Sequence, residues 1–597
     1  MYKLNMENNT NEAPNFNEWL ENFQTITEES NKIFANFFTN GAKQNAGFTT
    51  ADNPDPLNIN DTFLKAFSQL AQEPEVMAKA GVDLYGKLSQ LWVDTSAEFL
   101  EANKKPITQD QTDRRFTGSN WQELPAFKFI KESYLTYADW LLEIAGKVEG
   151  LDKKETDKLE FYTRQFIDAI SPANFLWTNP DVLRATIETN GKNLVEGLKN
   201  LAEDITKGKI GQTDTSVFEL GKNLATTKGS VVFQNELLQL IQYAPTTEKS
   251  YSTPLLFIPA WINKFYIADL QPKNSLVKWL VDQGYAVFMI SWVNPVANHA
   301  QKGFDNYVTE GLLEAVDEVL RITKQPELNA IGYCLGGTLL ATTLAYLKEK
   351  NQKKINAVTF LTTMLDFSDA GKISVFIDEA QIEALEKRMS EKGYLEGSEM
   401  SLTLNMLRSN DLIWSFVINN YLLGKTPFPF DILYWNSDAT RMPAKMHSFY
   451  LRNMYLNNVL AKKNGIAIDG VGIDISKIDN PSYFLSTKKD HIAPWQTTYI
   501  GAKMLKNAKF TLADSGHVAG VVNPPAVDGK PAKYHHWELD GIPAETEDWL
   551  KAAKEVTGSW WPSWHNWNKQ FSGDLITALQ PQKEIESAPG SYVKAKS

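Results

Sequence analysis

The chain has 597 residues, and its 60 Lys and Arg against 72 Asp and Glu leave a formal net charge of −12 at pH 7. This acidic balance argues against a general nucleic-acid binder, which needs a basic surplus. The single cysteine excludes an internal disulfide and a Cys-rich zinc module, and no apolar run is long enough to predict a membrane span. The composition predicts a globular, intracellular protein with a sizeable apolar core.

Residues 1–110 predict weakly anchored amphipathic helices, because large apolar residues recur at steps of three and four. Three such stripes run from Phe16 to Phe37, from Phe63 to Leu70 and from Leu84 to Trp92. Two interpretations stay open: helices packed within the chain, or a surface that meets a partner, a second copy or a hydrophobic body. Since the pattern stays helical to about residue 210, we expect a mostly helical N-terminal region over residues 1–210.

From about Tyr251, short apolar runs alternate with helical patterns, which is typical of a parallel sheet with crossover helices. The predicted strands are 254–259, 286–292, 328–333, 357–365, 483–486 and 510–512. The long interval before the fifth strand predicts an inserted helical cap or lid at about 366–434. We therefore expect a catalytic domain over 211–575, of the α/β class, followed by a polar tail at 576–597.

Cys334 is a candidate nucleophile, because Gly332-Tyr333-Cys334-Leu335-Gly336 lies between a predicted strand and a predicted helix. A nucleophile elbow needs small residues two positions before and after the nucleophile, where the chain turns sharply. The helix N-terminus then offers the N–H of Leu335 to an oxyanion. The second donor is expected in the loop after the first catalytic-domain strand, near Trp261 and Ile262. The alternative is a buried structural cysteine.

His517 and Asp490 are the predicted partners of Cys334, since an α/β hydrolase orders nucleophile, acid and histidine along the chain. His517 lies in the loop after the last predicted strand, and Asp490 lies in the loop after the preceding one. A turn or surface-loop role is the non-catalytic alternative for both. Other residues in comparable loops stay open as rivals: His491, His535 and His536 for the base, and Asp366 for the acid.

A cysteine nucleophile favours acyl transfer over simple hydrolysis. Its acyl-enzyme is a thioester, nearly isoenergetic with a coenzyme A thioester, and it keeps enough energy to acylate a hydroxyl. Cysteine hydrolases with the same elbow also exist, so the preference does not decide the reaction. No nucleotide-binding glycine motif and no metal-binding histidine motif is present in the sequence.

Seven ordered segments, several rich in tryptophan, carry a family resemblance. They are Ile262–Leu270, Asn274–Val277, Gly332-Tyr333-Cys334-Leu335-Gly336-Gly337, Trp435–Thr440, Asp490–Trp495, Ser515–Gly520 and Gly558–Pro562. On these residues the chain resembles the class I polyhydroxyalkanoate synthases, which polymerise 3-hydroxyacyl-CoA into polyester. The resemblance covers about Asp113 to Pro562, whereas residues 1–110 match only in being helical and weakly patterned.

The resemblance implies an α/β-hydrolase fold with an inserted helical cap, preceded by a mostly helical N-terminal domain. It implies that His517 deprotonates Cys334, which attacks (R)-3-hydroxyacyl-CoA and releases coenzyme A. Asp490 would assist activation of the 3-hydroxyl group, directly or through His517. Residues implied to lie along the substrate path are Asp269, Arg408, Trp435 and His491, with a solvated helix arginine as the alternative for Arg408.

The resemblance also implies partners and a location. We expect a homodimer in the cytoplasm, associated with the polymer granule surface and with granule-associated proteins, and no nucleic-acid partner. We expect no resident cofactor or metal, because coenzyme A enters only as the leaving carrier of the substrate. The alternatives are a thioesterase or intracellular polyester depolymerase on the same fold, and a non-enzymatic granule coat protein. The acyl chain-length preference stays open.

Overall fold

The computed structural model describes residues 21–22, 24–26, 59–100, 113–527, 529–582 and 584–596. The chain divides into two compact units. The helical unit comprises residues 1–214 and 408–428, and the catalytic unit comprises residues 215–407 and 429–597. Most of the first predicted stripe, from Phe16 to Phe37, lies outside the described residues.

The helical unit is built from α-helices and short connections in the part of it that the structure describes. Its helices are α1 (Ile59–Gln72), α2 (Pro74–Leu100), α3 (Asn120–Glu123), α4 (Pro125–Gly146), α5 (Lys153–Ala169), α6 (Pro180–Glu188) and α7 (Lys192–Lys207). Asp152 caps α5 by accepting a hydrogen bond from the Glu155 N–H, and the Glu155 side chain accepts from the Asp152 N–H. The prediction of a helical N-terminal region is confirmed.

Residues 408–428 fold with the helical unit, although residue 408 lies 194 positions after residue 214 in the chain. They form two π-helical segments, Asn410–Trp414 and Val417–Leu422. The Asp168 carboxylate accepts hydrogen bonds of 2.8 Å from both Ser409 and Asn410. The interval predicted as a cap, 366–434, thus contributes residues to both units, and its role as a lid stays a prediction.

Helices α1 and α2 bury small residues and expose large apolar ones. Ala66 packs in a small cluster with Ala145 and Leu159, whereas the Phe67 side chain beside it is 65% exposed. On α2, Tyr85 is 75% exposed. The two interpretations of these apolar stripes therefore both stay open.

The catalytic unit contains a mixed sheet, with eleven strands in the described part of the chain. In chain order they are β1 (Gly229–Gln234), β2 (Leu238–Tyr243), β3 (Leu255–Ile258), β4 (Val287–Trp292), β5 (Leu328–Tyr333), β6 (Ile355–Leu361), β7 (Ser482–Thr487), β8 (Ala508–Ala513), β9 (His536–Glu538), β10 (Lys554–Val556) and β11 (Glu586–Ser587). Their spatial order is β10-β9-β8-β7-β6-β5-β3-β4-β2-β1-β11. Strands β3 to β8 pair in parallel and the flanking strands are antiparallel.

All six predicted strands are present, and β5 matches its predicted bounds of 328–333 to the residue. The prediction of strand as far as residue 365 is wrong, because β6 ends at Leu361. Thr362 adopts a left-handed backbone with φ 46°, which an extended strand does not allow. Five strands on the flanks were not predicted, since they are antiparallel and most are short.

The catalytic unit also contains α-helices. They are α8 (Leu276–Asp282), α9 (Phe304–Asn306), α10 (Glu314–Thr323), α11 (Leu335–Glu349), α12 (Glu379–Lys392), α13 (Gly397–Met406), α14 (Asp431–Ser437), α15 (Ala444–Tyr450), α16 (Trp495–Met504), α17 (Thr546–Ala552) and α18 (Trp561–Asn568). Helix α11 is buried from Leu335 to Leu347, as expected for a helix that is apolar on every side. Among the helices of the described ranges, none has the length and apolar character needed to cross a membrane.

Candidate active site

Cys334 lies at the turn between β5 and α11, in a strained backbone conformation with φ 52° and ψ −119°. A Cβ atom on Gly332 would lie 2.4 Å from the Gly337 Cα atom. A Cβ atom on Gly336 would lie 2.1 Å from the Ile258 carbonyl oxygen. Both contacts are far too short, so the turn excludes side chains at these two positions, as a nucleophile elbow requires.

The backbone of Cys334 is held by the neighbouring strand. Its N–H donates to the Leu361 carbonyl at 2.8 Å, and the Thr363 hydroxyl donates to its carbonyl at 3.2 Å. These bonds stabilise the strained turn from the β6 side, and the Gly337 N–H of α11 donates to the same Cys334 carbonyl at 2.9 Å. The Cys334 side chain is half-buried.

His517 and Asp490 meet at the carboxyl end of the sheet, on the loops that follow β8 and β7. His517 Nδ1 and Asp490 Oδ2 are 2.7 Å apart, and both side chains are buried. A carboxylate can only accept hydrogen bonds, so Nδ1 carries the proton. This assignment leaves Nε2 of the imidazole for another partner.

The Asp490 carboxylate is satisfied by its own loop. Its Oδ1 accepts hydrogen bonds of 2.9 Å from the N–H groups of Ile492 and Ala493. The Thr487 hydroxyl donates to Oδ2 at 3.1 Å. Together with His517 these donors hold the carboxylate in place. The catalytic role of Asp490 stays a prediction.

Cys334 and Asp490 both act on the charge of His517. Burial lowers the pKa of the imidazole, but the charges of Asp490 and Cys334 and its hydrogen bonds to both side chains outweigh burial and raise the pKa to about 10. Because Nδ1 is taken by Asp490, Nε2 is the ring nitrogen left to face Cys334.

Three tyrosines that the sequence analysis did not single out line this chain of groups. The Tyr333 ring stacks on His517 with centroids 5.7 Å apart, and its hydroxyl donates to the His517 carbonyl at 3.2 Å. Burial raises the pKa of Tyr450 and Tyr455, and the nearby Cys334 charge raises both further. The aromatic rings and buried hydroxyl groups of these tyrosines therefore lie close to the nucleophile and its base. For Tyr450 and Tyr455 the available signal was their spacing, which spans the end of α15 and the π-helix (Leu451–Leu456) that follows and so departs from the α-helical period.

The loop after β3 runs against the elbow, as predicted for an oxyanion site. The short distance from Gly336 to Ile258 brings the start of α11 to the end of β3. Trp261 is buried, with its ring 5.7 Å from the Tyr450 ring. Its Nε1 has no hydrogen-bond partner among the described residues. Leu335 and the Trp261–Ile262 pair thus lie on adjacent elements, and which N–H completes an oxyanion hole stays a prediction.

The rival residues lie in other arrangements. Asp366 accepts hydrogen bonds from the Ser368 N–H at 2.8 Å and from Asn458 at 3.0 Å, which is a turn role. His536 bonds the Gly558 carbonyl at 2.9 Å and the Ser563 hydroxyl at 3.2 Å. Half-buried His535 lies next to it at the start of β9. The imidazole that meets the Asp490 carboxylate belongs to His517.

The predicted substrate-path residues each have contacts of their own. Asp269 is buried and accepts hydrogen bonds of 2.6 Å from Thr227 and Ser275. The Trp435 indole donates to the Lys264 carbonyl at 2.7 Å. Arg408 belongs to the helical unit, where its exposed side chain pairs with Asp411. These three side chains have structural partners, and their substrate roles stay predictions.

His491 is half-buried in the same loop as Asp490, and its role in the substrate path also stays a prediction. Among the described residues, no group of three or more His, Cys, Asp or Glu side chains could hold a metal ion.

Comparisons with known proteins give the family. Residues 112–280 match the model of the poly-beta-hydroxybutyrate polymerase N-terminus, and residues 253–524 match that of the alpha/beta hydrolase fold. The chain is 46% identical to poly(3-hydroxyalkanoate) polymerase of Methylorubrum extorquens over 90% of this chain and 89% of that protein.

Two further relatives give the same result. Poly(3-hydroxyalkanoate) polymerase subunit PhaC of Rhizobium meliloti is 42% identical over 93% of this chain and 92% of that protein. The protein of the same name from Cupriavidus necator is 41% identical over 88% of this chain and 91% of that protein. With an alpha/beta hydrolase fold, a cysteine elbow and this similarity along almost its whole length, the chain belongs to the poly(3-hydroxyalkanoate) polymerases, a family of acyltransferases.

Proposed function

We propose that this protein polymerises (R)-3-hydroxyacyl-CoA into polyhydroxyalkanoate, with release of coenzyme A, through a thioester on Cys334. The observation that carries the proposal is the buried Asp490–His517 pair, 2.7 Å apart, whose imidazole pKa is raised by the nearby Cys334 on the elbow. A thiol at the elbow, with its base oriented by a carboxylate, is the arrangement needed to exchange acyl groups with a thioester donor.

In the first half-reaction, the Cys334 sulfur attacks the acyl carbonyl of the substrate while its proton goes to His517 Nε2. A carbon–sulfur bond to Cys334 forms as the bond to coenzyme A breaks. The leaving thiolate takes the proton back from the imidazolium and departs as free coenzyme A. The Leu335 N–H and a donor near Trp261 or Ile262 stabilise the tetrahedral oxyanion between these events.

In the second half-reaction, the 3-hydroxyl of another acyl-CoA attacks the Cys334 thioester and its proton passes to His517 Nε2. An ester bond forms, the bond to Cys334 breaks and the regenerated thiol takes the proton. The lengthened acyl-CoA can then acylate Cys334 again. Each cycle adds one ester and releases one coenzyme A, with no net water consumed.

In this reaction Asp490 acts through His517 rather than directly on the hydroxyl. Support comes from the geometry of its carboxylate, which is buried and already accepts four hydrogen bonds. A direct contact with substrate would displace one of these donors. His517 therefore carries out the proton transfers of both half-reactions, and Asp490 orients the imidazole and stabilises its charge.

The decisive experiment supplies the full chain with (R)-3-hydroxybutyryl-CoA and measures coenzyme A, insoluble polymer and free hydroxy acid. We expect coenzyme A release together with polymer, and loss of both in Cys334→Ala. Intact-mass measurement after a brief reaction should show the mass of an added acyl group on wild type and no added mass on Cys334→Ala. Stoichiometric free hydroxy acid without polymer would instead identify a thioesterase or depolymerase.

Chain-length preference is measured in the same assay. A panel of 3-hydroxyacyl-CoA substrates from four to ten carbons, with monomer composition of the product, ranks the substrates by kcat/KM.

The same function implies a location and partners. We propose that the protein acts in the cytoplasm as a homodimer at the surface of polymer granules, together with granule-associated proteins, and that it needs no resident cofactor or metal. Support comes from the insoluble product and from exposed apolar side chains such as Phe67 and Tyr85 on α1 and α2. Size-exclusion chromatography with light scattering tests the dimer, and sedimentation with isolated polyester particles tests the surface association.

A further inference from the structure

A buried ion pair between Lys264 and Asp438 lies at the end of the loop after β3. Lys264 and Asp438 are 2.8 Å apart, and only 4% of each side chain is exposed. The Tyr266 hydroxyl donates to the other oxygen of Asp438 at 3.0 Å. Lys596 reaches the same carboxylate at 2.9 Å, and the Ala595 carbonyl accepts from the Lys264 ammonium at 2.8 Å. We call Lys264, Asp438, Ala595 and Lys596 the clamp.

The segment that carries Ala595 and Lys596 is fixed on the sheet before it reaches the clamp. Strand β11 pairs with β1, with Ser587 opposite Ser230. The Tyr592 N–H donates to the Gln239 side chain at 3.1 Å, and Val593 is buried. Because the segment is held at these points, its contacts with the sheet help to fix the position of residues 595 and 596, in addition to the clamp.

Lys264 depends on its acceptors. Burial lowers the pKa of the Lys264 ammonium, and the charge and hydrogen bond of Asp438 oppose that shift. Loss of the Ala595 carbonyl would leave a buried ammonium with one acceptor fewer, which costs more than an exposed bond would. The Lys596 side chain is exposed, and its ammonium adds a second cation to Asp438.

The clamp is joined to the elbow by the backbone of residues 259–264. At one end of this loop the Pro259 carbonyl accepts from the Trp292 indole at 2.9 Å. At the other end the Lys264 carbonyl accepts from the Trp435 indole, three residues before Asp438. Trp261 and Ile262 lie between these two points, on the stretch of backbone that ends at Lys264.

We propose that Ala595 and Lys596 are positioning residues for acyl transfer: through Asp438 and Lys264 they hold the loop whose Trp261 or Ile262 N–H completes the oxyanion hole. This inference rests on the proposed function and adds to it a part of the chain distant in sequence from all three reacting side chains. It predicts that loosening the clamp slows the step that develops an oxyanion, while the reactivity of the Cys334 thiol stays unchanged.

The test compares four full-length or near full-length variants with wild type: Lys596→Ala, Lys596→Arg, deletion of residues 595–597, and Lys594→Ala as the matched control. Lys594 is exposed on the same turn and is not part of the clamp. Each protein is assayed for kcat and KM with (R)-3-hydroxybutyryl-CoA and for the rate of Cys334 alkylation by iodoacetamide, which forms no oxyanion.

We expect the deletion to lower kcat about tenfold to a hundredfold, the range that a displacement of catalytic groups by an ångström produces. Lys596→Ala should lower kcat less than the deletion does. The kcat of Lys596→Arg and of Lys594→Ala should match that of wild type. KM and the alkylation rate should change by less than about twofold, because neither depends on oxyanion stabilisation.

The inference is overturned if the deletion keeps the wild-type kcat. It is also overturned if kcat and alkylation fall in proportion, since that result would mean general loss of the folded site. A wild-type chain that alkylates at Cys334 but releases no coenzyme A would overturn the proposed function as well, and the two failures are thereby distinguished.

Discussion

The two units of this protein use their apolar residues in opposite ways. In the catalytic unit, strands such as β4 and β5 are buried at every position, and the elbow leaves no space for a methyl group at Gly336. On α1 and α2 of the helical unit, large side chains face outward and Gly81 has no other atom within 4 Å of an added Cβ. The elbow therefore leaves no room for change, whereas α1 and α2 tolerate it at such positions.

The largest expected effect comes from Asp490→Asn in the catalytic unit. The asparagine Oδ1 can still accept from Ile492 and Ala493, so its NH2 group would face His517 Nδ1. That contact forces the proton to Nε2, and the imidazole can no longer take the Cys334 proton. We expect kcat for coenzyme A release to fall about 10³- to 10⁴-fold, as for the equivalent change in other triads.

Thr487→Ser is the matched control, because it keeps the hydroxyl that donates to Asp490. Its kcat should stay within about threefold of wild type. An Asp490→Asn enzyme with nearly full activity would contradict the orienting role of this carboxylate.

Glycine-to-alanine substitution sharpens the comparison directly. Gly336→Ala would bring a methyl carbon to 2.1 Å from the Ile258 oxygen, and we expect a loss of about 3 kcal/mol or more in unfolding free energy. Gly81→Ala in the middle of α2 meets open space and should gain about 0.5–1 kcal/mol from helix propensity. Urea unfolding of both variants measures the difference. Equal changes of the same sign would remove the contrast between the units.

The pH dependence of stability should also separate the units, since all seven histidines lie in the catalytic unit. Burial lowers the pKa of His447 to about 4, whereas the unfolded chain takes up that proton near pH 6.5. Above pH 6.5 the group contributes nothing. As pH falls from 6.5 to 4, only the unfolded state binds the proton, so unfolding becomes easier by up to about 3 kcal/mol.

His447→Leu should remove this part of the acid destabilisation. It also removes an Nδ1 that has no partner within the described structure, so stability at pH 7 should change little. Urea midpoints at pH 7 and pH 5 for wild type, His447→Leu and the half-buried control His535→Gln provide the measurement. A wild-type slope in His447→Leu would show that its imidazole is hydrated or protonated in the folded state.

The smallest expected effect is on the outer helices. Phe67→Ser on α1 should change the unfolding free energy by no more than about 0.5 kcal/mol, because the side chain is exposed. The kcat for coenzyme A release should be unchanged in the absence of polymer particles. A loss of several kcal/mol would mean that Phe67 is covered in the native protein, by a second copy or by another part of the chain.

Much of the core architecture could be predicted from the sequence. The parallel strands were found because buried runs such as 328–333 are apolar, bounded and followed by helical patterns. Cys334 was found because the elbow needs glycines two positions away on each side. The structure brings Asp490 and His517 within hydrogen-bond distance, while their catalytic roles stay predictions.

The remaining parts could not be predicted because they depend on contacts between distant residues. Tyr450 ends α15 and Tyr455 lies in the π-helical segment that follows, so the two do not share one helical period that the sequence would show. The segment at 408–428 looks like part of an insertion until Asp168 is seen to bond Ser409 and Asn410. The clamp joins Asp438 to Lys596, and a polar segment gives no sign of such a buried destination.

Strand β11 has a consequence for the order in which the protein is made. Its neighbour β1 is synthesised early, and Ser230 is separated from Glu584 beside β11 by 354 positions. Until the ribosome has delivered β11, one edge of the sheet offers unpaired backbone groups to any other strand. A contact of such long range also forms slowly. Nascent chains that stall before residue 586 are therefore the species in which we expect edge-to-edge aggregation, and chaperone binding should concentrate there.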